Sequence, residues 1–198
     1  MAQVEAAIVV HLRTIYYRED PLSLFPLALF SHRDLGIELV REAATLIMIA
    51  TLSFLTARKF RDAFVVFVYV FGVWDIFYYV WLKVMIGWPG SWGEWDVLFL
   101  IPWPWFGPWI TPAAVALVFS AWGAKRLWCG QGCEFDRLSG ALFLFGCALV
   151  LATFLAPALP LLSQGETAFK GYEPAGFHWA VYLPGLALVT VGLVRSRH

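Results

Sequence analysis

The chain has 198 residues, of which 61% are hydrophobic and only 14% charged, and its formal net charge is zero. A water-facing domain carries about 25% charged residues, so this composition, with a mean hydropathy of +0.71, argues against a large soluble domain. The balanced charge also removes the electrostatic case for binding nucleic acid. The charges collect at the ends of long apolar stretches, as they do in helices that cross a bilayer. The expected fold is an all-α integral membrane bundle of about five transmembrane helices, a single polytopic domain over 1–198.

Residues 2–17 predict a short helix, interrupted by Glu5, His11 and Arg13, that lies in the membrane interface or packs on the bundle. Its opening, MAQVEAAIVVHLRT, has neither a basic n-region nor a small-residue cleavage site and does not read as a cleaved signal. Arg18-Glu19-Asp20-Pro21 breaks the helix. LSLFPLALF, residues 22–30, is too short to span and contains Pro26, so it is at most re-entrant. The whole of 1–34 is therefore read as an interfacial or re-entrant segment.

Spans are expected at about 35–57, 63–82, 108–123, 138–157 and 177–194. Between the second and third lies GWPGSWGEWDVLFLIPWPWFGPW, whose tryptophans suit an aromatic belt, with 97–106 a candidate re-entrant dip. Arg58, Lys59, Arg61, Lys125, Arg126, Arg137, Arg195 and Arg197 fall on one side of these spans. That side should be cytoplasmic and should include the C-terminus. Cys129, Cys133 and Cys147 then read as free thiols, because the four-residue step in WCGQGCEFD matches neither a zinc pair nor a haem attachment site.

Depth singles out three ionisable residues. At 1.5 Å per residue from the cytoplasmic ends, Glu42 sits about 22 Å up the first span, Asp75 about 18 Å up the second and His178 about 24 Å up the fifth. A charge at such a depth costs about 2.5–3.5 kcal/mol on insertion scales, so these groups should face inward and be paired. Helical periodicity agrees. Glu38, Arg41, Glu42, Thr45, Ser53 and Thr56 share one face of the first span, and Tyr69, Gly72, Asp75, Tyr79 and Lys83 share one face of the second.

This polar layer supports an outward-opening pocket that binds a small or lipid-like ligand or relays protons. Glu42, Asp75 and His178 would form its centre, with Glu38, Arg41, Tyr79 and Asp96 around it. Two other classes fit the same residues. One is a non-catalytic subunit of a larger redox or photosynthetic membrane complex, and the other an intramembrane enzyme using Asp75 or Glu42 as acid or base. Glu38–Arg41 or Arg41–Asp75 ion pairs could also merely fix helix register. Expected partners are the lipid bilayer, a lipid-like or aromatic ligand, and partner membrane subunits. No metal site is expected, since Glu42, Asp75 and His178 lie on three different helices and have no local ligand spacing. The chain has no HExxH, GxSxG or glycine-rich phosphate loop.

Overall fold

The computed structural model describes residues 1–130 and 133–196, so Arg197 and His198, part of the basic C-terminal tail, lie outside the described residues. Among the described residues, seven α-helices run in the order α1 Ala2–Tyr16, α2 His32–Thr56, α3 Phe60–Ile86, α4 Ile110–Trp128, α5 Arg137–Leu155, α6 Leu159–Gln164 and α7 Trp179–Arg195, with one 3-10 turn at Glu166–Phe169. A two-stranded antiparallel hairpin, β1 Trp95–Phe99 and β2 Trp105–Pro108, sits between α3 and α4. The protein is thus mostly helical, and α2, α3 and α5 are each long and apolar enough to cross a membrane.

Local chemistry explains the boundaries. Ser31 opens α2: its hydroxyl accepts the Asp34 amide at 3.1 Å, which satisfies one orphan N–H of the first turn, and donates to the Asp34 carboxylate at 2.8 Å. Gly87 and Gly130 follow the ends of α3 and α4 with φ of 74° and 62°, a conformation that closes a helix cheaply only when no Cβ is present. Lys125 and Arg126 stay inside α4 instead of ending it, because cations in the last turn complement the helix dipole.

One local expectation is corrected. Glu5 and Arg13 do not interrupt the first helix; α1 is continuous, and both side chains are buried on its inner side. Residues 97–106, expected as a candidate re-entrant dip, carry no helix. They form most of the hairpin, in which Asp96 faces Gly107 and Val97 faces Phe106. Its tryptophan, phenylalanine and valine residues favour a pleated surface. Residues 22–30 carry no helix, and Leu27 pairs with 171–172 through two backbone hydrogen bonds of 3.0 and 2.9 Å.

The chain resolves into two compact units. The first comprises Met1–Ala44, Trp74–Ala113 and Phe154–Phe177. Its apolar core places Ala6 of α1 against Tyr79 and Leu82 of α3 and against Trp88. The second comprises Thr45–Val73, Ala114–Thr153 and His178–His198. Its core gathers Val65, Val68, Trp122, Val189 and Leu193, and the Trp122 indole donates to the Leu193 carbonyl at 2.8 Å.

Helices of the second unit touch through glycine. A Cβ placed at Gly146 would lie 2.6 Å from the Val189 amide nitrogen and 2.8 Å from the Gly185 carbonyl oxygen. Such approach of backbones is how helices pack where lipid offers no hydrophobic drive. Gly146→Ala should therefore destabilise by about 1–3 kcal/mol through overpacking, seen as a lowered melting temperature in detergent. Gly36→Ala, at a helical site with open space around it, should be neutral or stabilise by up to about 1 kcal/mol.

Candidate functional site: a buried polar cluster in the first unit

Four segments of the first unit contribute charged side chains to one cluster. From α1 come Glu5 and Arg13, just over two helical turns apart and both buried. From α2 come Glu38, Arg41 and Glu42 within one turn, with Glu38 and Glu42 3% and 5% exposed. From α3 come Asp75, Tyr78 and Tyr79, and from β1 comes Asp96, 2% exposed.

Arg41 binds two carboxylates. Its Nε donates to Glu38 and its Nη1 to Glu5, which ties α1 to α2. Glu42 does different work: its two oxygens accept the Leu100 amide at 3.0 and 2.9 Å, just beyond the end of β1. A helix carboxylate thus satisfies a backbone donor in the hairpin loop that the ladder leaves over.

Arg13 reaches Asp96 at 3.3 Å and lies 4.1 Å above the ring of Trp88. Stacking on the indole supplies a cation–π attraction that gains strength away from water. The pairing with Asp96 is single and long, where charge-assisted bonds usually measure about 2.7–2.9 Å. Asp96 Oδ1 also accepts the Val97 amide at 3.0 Å. Among the described residues, Arg13 Nε and Nη1 and Asp96 Oδ2 are buried without a hydrogen-bond partner. The Tyr79 hydroxyl stands beside the Asp96 carboxyl. Burial pushes that carboxyl up to about 6, while Arg13 and the Val97 amide pull against the rise.

Asp75 is half-buried one helical turn before Tyr79 and within electrostatic reach of Asp96. It makes no hydrogen bond or ion pair among the described residues. Neither of its candidate cationic partners serves it. Arg41 is engaged by Glu38 and Glu5, and Lys83 donates to the carbonyls of Gly87 and Pro89 at 2.8 and 2.7 Å. Tyr78 connects the parts, interacting with Arg13, Arg41, Asp75 and Asp96.

Of the residues singled out from sequence, the structure brings together Glu38, Arg41, Glu42, Asp75, Tyr79 and Asp96 in this unit. His178 belongs to the second unit, exposed as the N-cap of α7. Sequence reasoning missed Glu5, Arg13, Tyr78 and Trp88 as members. The available signal was two opposite charges about two turns apart in an otherwise apolar α1, a spacing that puts them on neighbouring faces. Among the described residues, no three His, Cys, Asp or Glu side chains converge as metal ligands. Among the described residues, the best-formed clefts of this unit include two that neither Asp75, Asp96 nor Glu42 lines; Tyr79 borders one of them.

Removing the buried cation should cost more than removing the unpaired carboxylate. Arg13→Gln strands Asp96 and should lower stability by about 3–5 kcal/mol at pH 7.5, measured by thermal unfolding in detergent. The deficit should narrow as pH falls below 6, where Asp96 becomes neutral. In the wild type, Asp96 keeps its proton up to about 6, whereas the unfolded chain releases it near about 3.9. Its stabilising contribution is therefore full below that lower value and is lost as pH rises through the upper one. Asp75→Asn, which breaks no ion pair, should leave the melting temperature nearly unchanged.

Compared with known proteins, the chain matches no family model, no curated protein and no solved structure.

Proposed function

We propose that this chain is a multi-pass membrane protein that takes up and relays protons through Asp75 and Asp96, with Tyr78 and Tyr79 between them. One observation carries this reading: a carboxylate without hydrogen-bond or ionic partner, Asp75, lies within electrostatic reach of a second, buried carboxylate that is only half paired. Two carboxylates that repel one another away from water compete for protons, and their titration belongs to the pair. Phenolic hydroxyls, which both donate and accept, are suited to pass a proton between them.

A relay fits the burial of Asp96, which lines neither of the two clefts described above. It is favoured over pure scaffolding because a structural carboxylate in a span is held by a partner, as Glu42 is held to Leu100, and Asp75 is not. Glu38, Arg41 and Glu5 are the scaffold beside the relay.

Infrared difference spectra of the purified protein, recorded as pH is stepped through neutrality, test the relay. A protonated-carboxyl band should titrate in the wild type and be altered or lost in Asp75→Asn and in Asp96→Asn. Identical difference spectra in wild type and both variants would overturn the proposal.

The same reading places the C-terminus and the loops at 57–61 and 129–136 in the cytoplasm. Supporting this, Arg58, Lys59, Arg61, Lys125, Arg126, Arg137 and Arg195 all belong to the second unit, whereas the polar cluster belongs wholly to the first. Cys129 is exposed between α4 and α5, and Cys133 is buried. A membrane-impermeant maleimide should leave Cys129 unlabelled in intact cells and react after permeabilisation, with the signal absent in Cys129→Ser. Labelling of Cys129 in intact cells would reverse the topology.

A further inference from the structure

One of the two clefts of the first unit has a chemistry distinct from the polar cluster. It encloses about 430 Å³ between the last turns of α3 and the segment 89–113, within the range of about 300–1,000 Å³ typical of small-molecule sites. Its walls are Ile76, Tyr79 and Val80 of α3, facing Trp92 and Trp109, and Lys83 is the single charged residue that lines it. The two indoles stack with centroids 5.7 Å apart and planes 18° from parallel, and Tyr79 packs on Trp109 at 5.5 Å. The Trp109 N–H is already donated to the Ser91 carbonyl at 2.9 Å, so the indole turns a rigid apolar surface to the cleft.

Lys83 is held in place without being neutralised. Its ammonium spends two of three N–H donors on the Gly87 and Pro89 carbonyls. One donor remains, and no carboxylate lines the cleft; the nearby Glu94 carboxylate is taken by the Gly90 and Ser91 amides at 2.8–3.0 Å. The apolar side of the cleft continues along α3 into exposed residues, Phe77 at 49% and Val84 at 68%, on a helix long and apolar enough to cross a membrane. A cleft open along such a flank, with a lone cation in the last helical turn, is complementary to a molecule with an acyl chain and an anionic head.

We propose that this cleft is a binding site for an anionic phospholipid, its acyl chain along Ile76 and Val80 and its phosphate against Lys83. The stacked indoles define the level of the headgroup, as tryptophan does at a bilayer edge. Lys83 has a structural role in capping α3. The anchored geometry that performs it also presents the remaining N–H at a fixed position, so the two roles coexist. This site is independent of the proton relay: Lys83, Trp92 and Trp109 take no part in the cluster, and Tyr79 contributes only a ring face here.

Native mass spectrometry of the detergent-purified full chain, titrated in parallel with phosphatidylglycerol and phosphatidylcholine of identical acyl composition, tests the assignment. One lysine near an anionic lipid contributes enough for about a five-fold preference, so the wild type should retain phosphatidylglycerol about five-fold better. Lys83→Gln should remove the preference and Lys83→Arg should keep it. Trp109→Ala should weaken both lipids alike. Equal retention of the two lipids by the wild type, which needs no variant to fold, would overturn the proposal. So would an undiminished preference in Lys83→Gln.

Discussion

A guanidinium has no neutral form to retreat to, so Arg13, 1% exposed, obliges its surroundings to satisfy a full charge away from water. Asp96 supplies the counter-charge and Trp88 a ring face beneath it. Much of the first unit is arranged around that requirement. β1 must place Asp96 on the side of α1, and Trp88 must leave the end of α3 at an angle that brings its ring under the cation. Trp88 also belongs to the apolar cluster of Ala6, Tyr79 and Leu82, and both members of the ion pair are buried. Arg41 repeats the solution one step away, bound to the carboxylates of Glu38 and Glu5.

What the arginines leave unsatisfied is where chemistry becomes available. Glu5, Glu38, Glu42, Asp75 and Asp96 are gathered with only two guanidinium groups, and three of the five have identifiable structural work: Glu5 and Glu38 on Arg41, Glu42 on the hairpin loop. Asp96 is shared between Arg13 and a free oxygen, and Asp75 has no structural work at all. Buried ionisable groups are costly, and those without a packing role are the ones whose cost needs a functional explanation. The phenols of Tyr78 and Tyr79 stand within electrostatic reach of both carboxylates.

The second unit is held by different means. Its helices approach backbone to backbone at Gly72, Gly123, Gly146 and Gly192, and its buried polar groups are mostly hydroxyls bonded to their own helices, such as Ser53 to Ile49 and Thr153 to Val150. Arg126 donates to Ser196 Oγ at 2.7 Å and so fastens α4 to the end of α7. Packing and capping dominate here, and charge gathers at the helix ends.

The sequence by itself determined the mostly helical character, the approximate helix positions, and the polar faces of α2 and α3, because hydropathy and the 3.6-residue period are properties of short stretches. Six members of the cluster were legible, since a carboxylate in an apolar run is conspicuous wherever the fold takes it. The inward role of Glu5 and Arg13 was not legible. A charge near the end of a short helix is equally compatible with solvent, and only the partners that meet it, 83 residues away for Arg13, decide that it is buried. The hairpin escaped because aromatic-rich, proline-broken strands of four and five residues have too short a period to distinguish from loop. His178 shared its calculated depth with Glu42 and Asp75, but depth along a helix carries no information about neighbours. Tertiary structure alone decided which cation each carboxylate would have, and left Asp75 with none, because pairing depends on distances between segments that no single segment encodes.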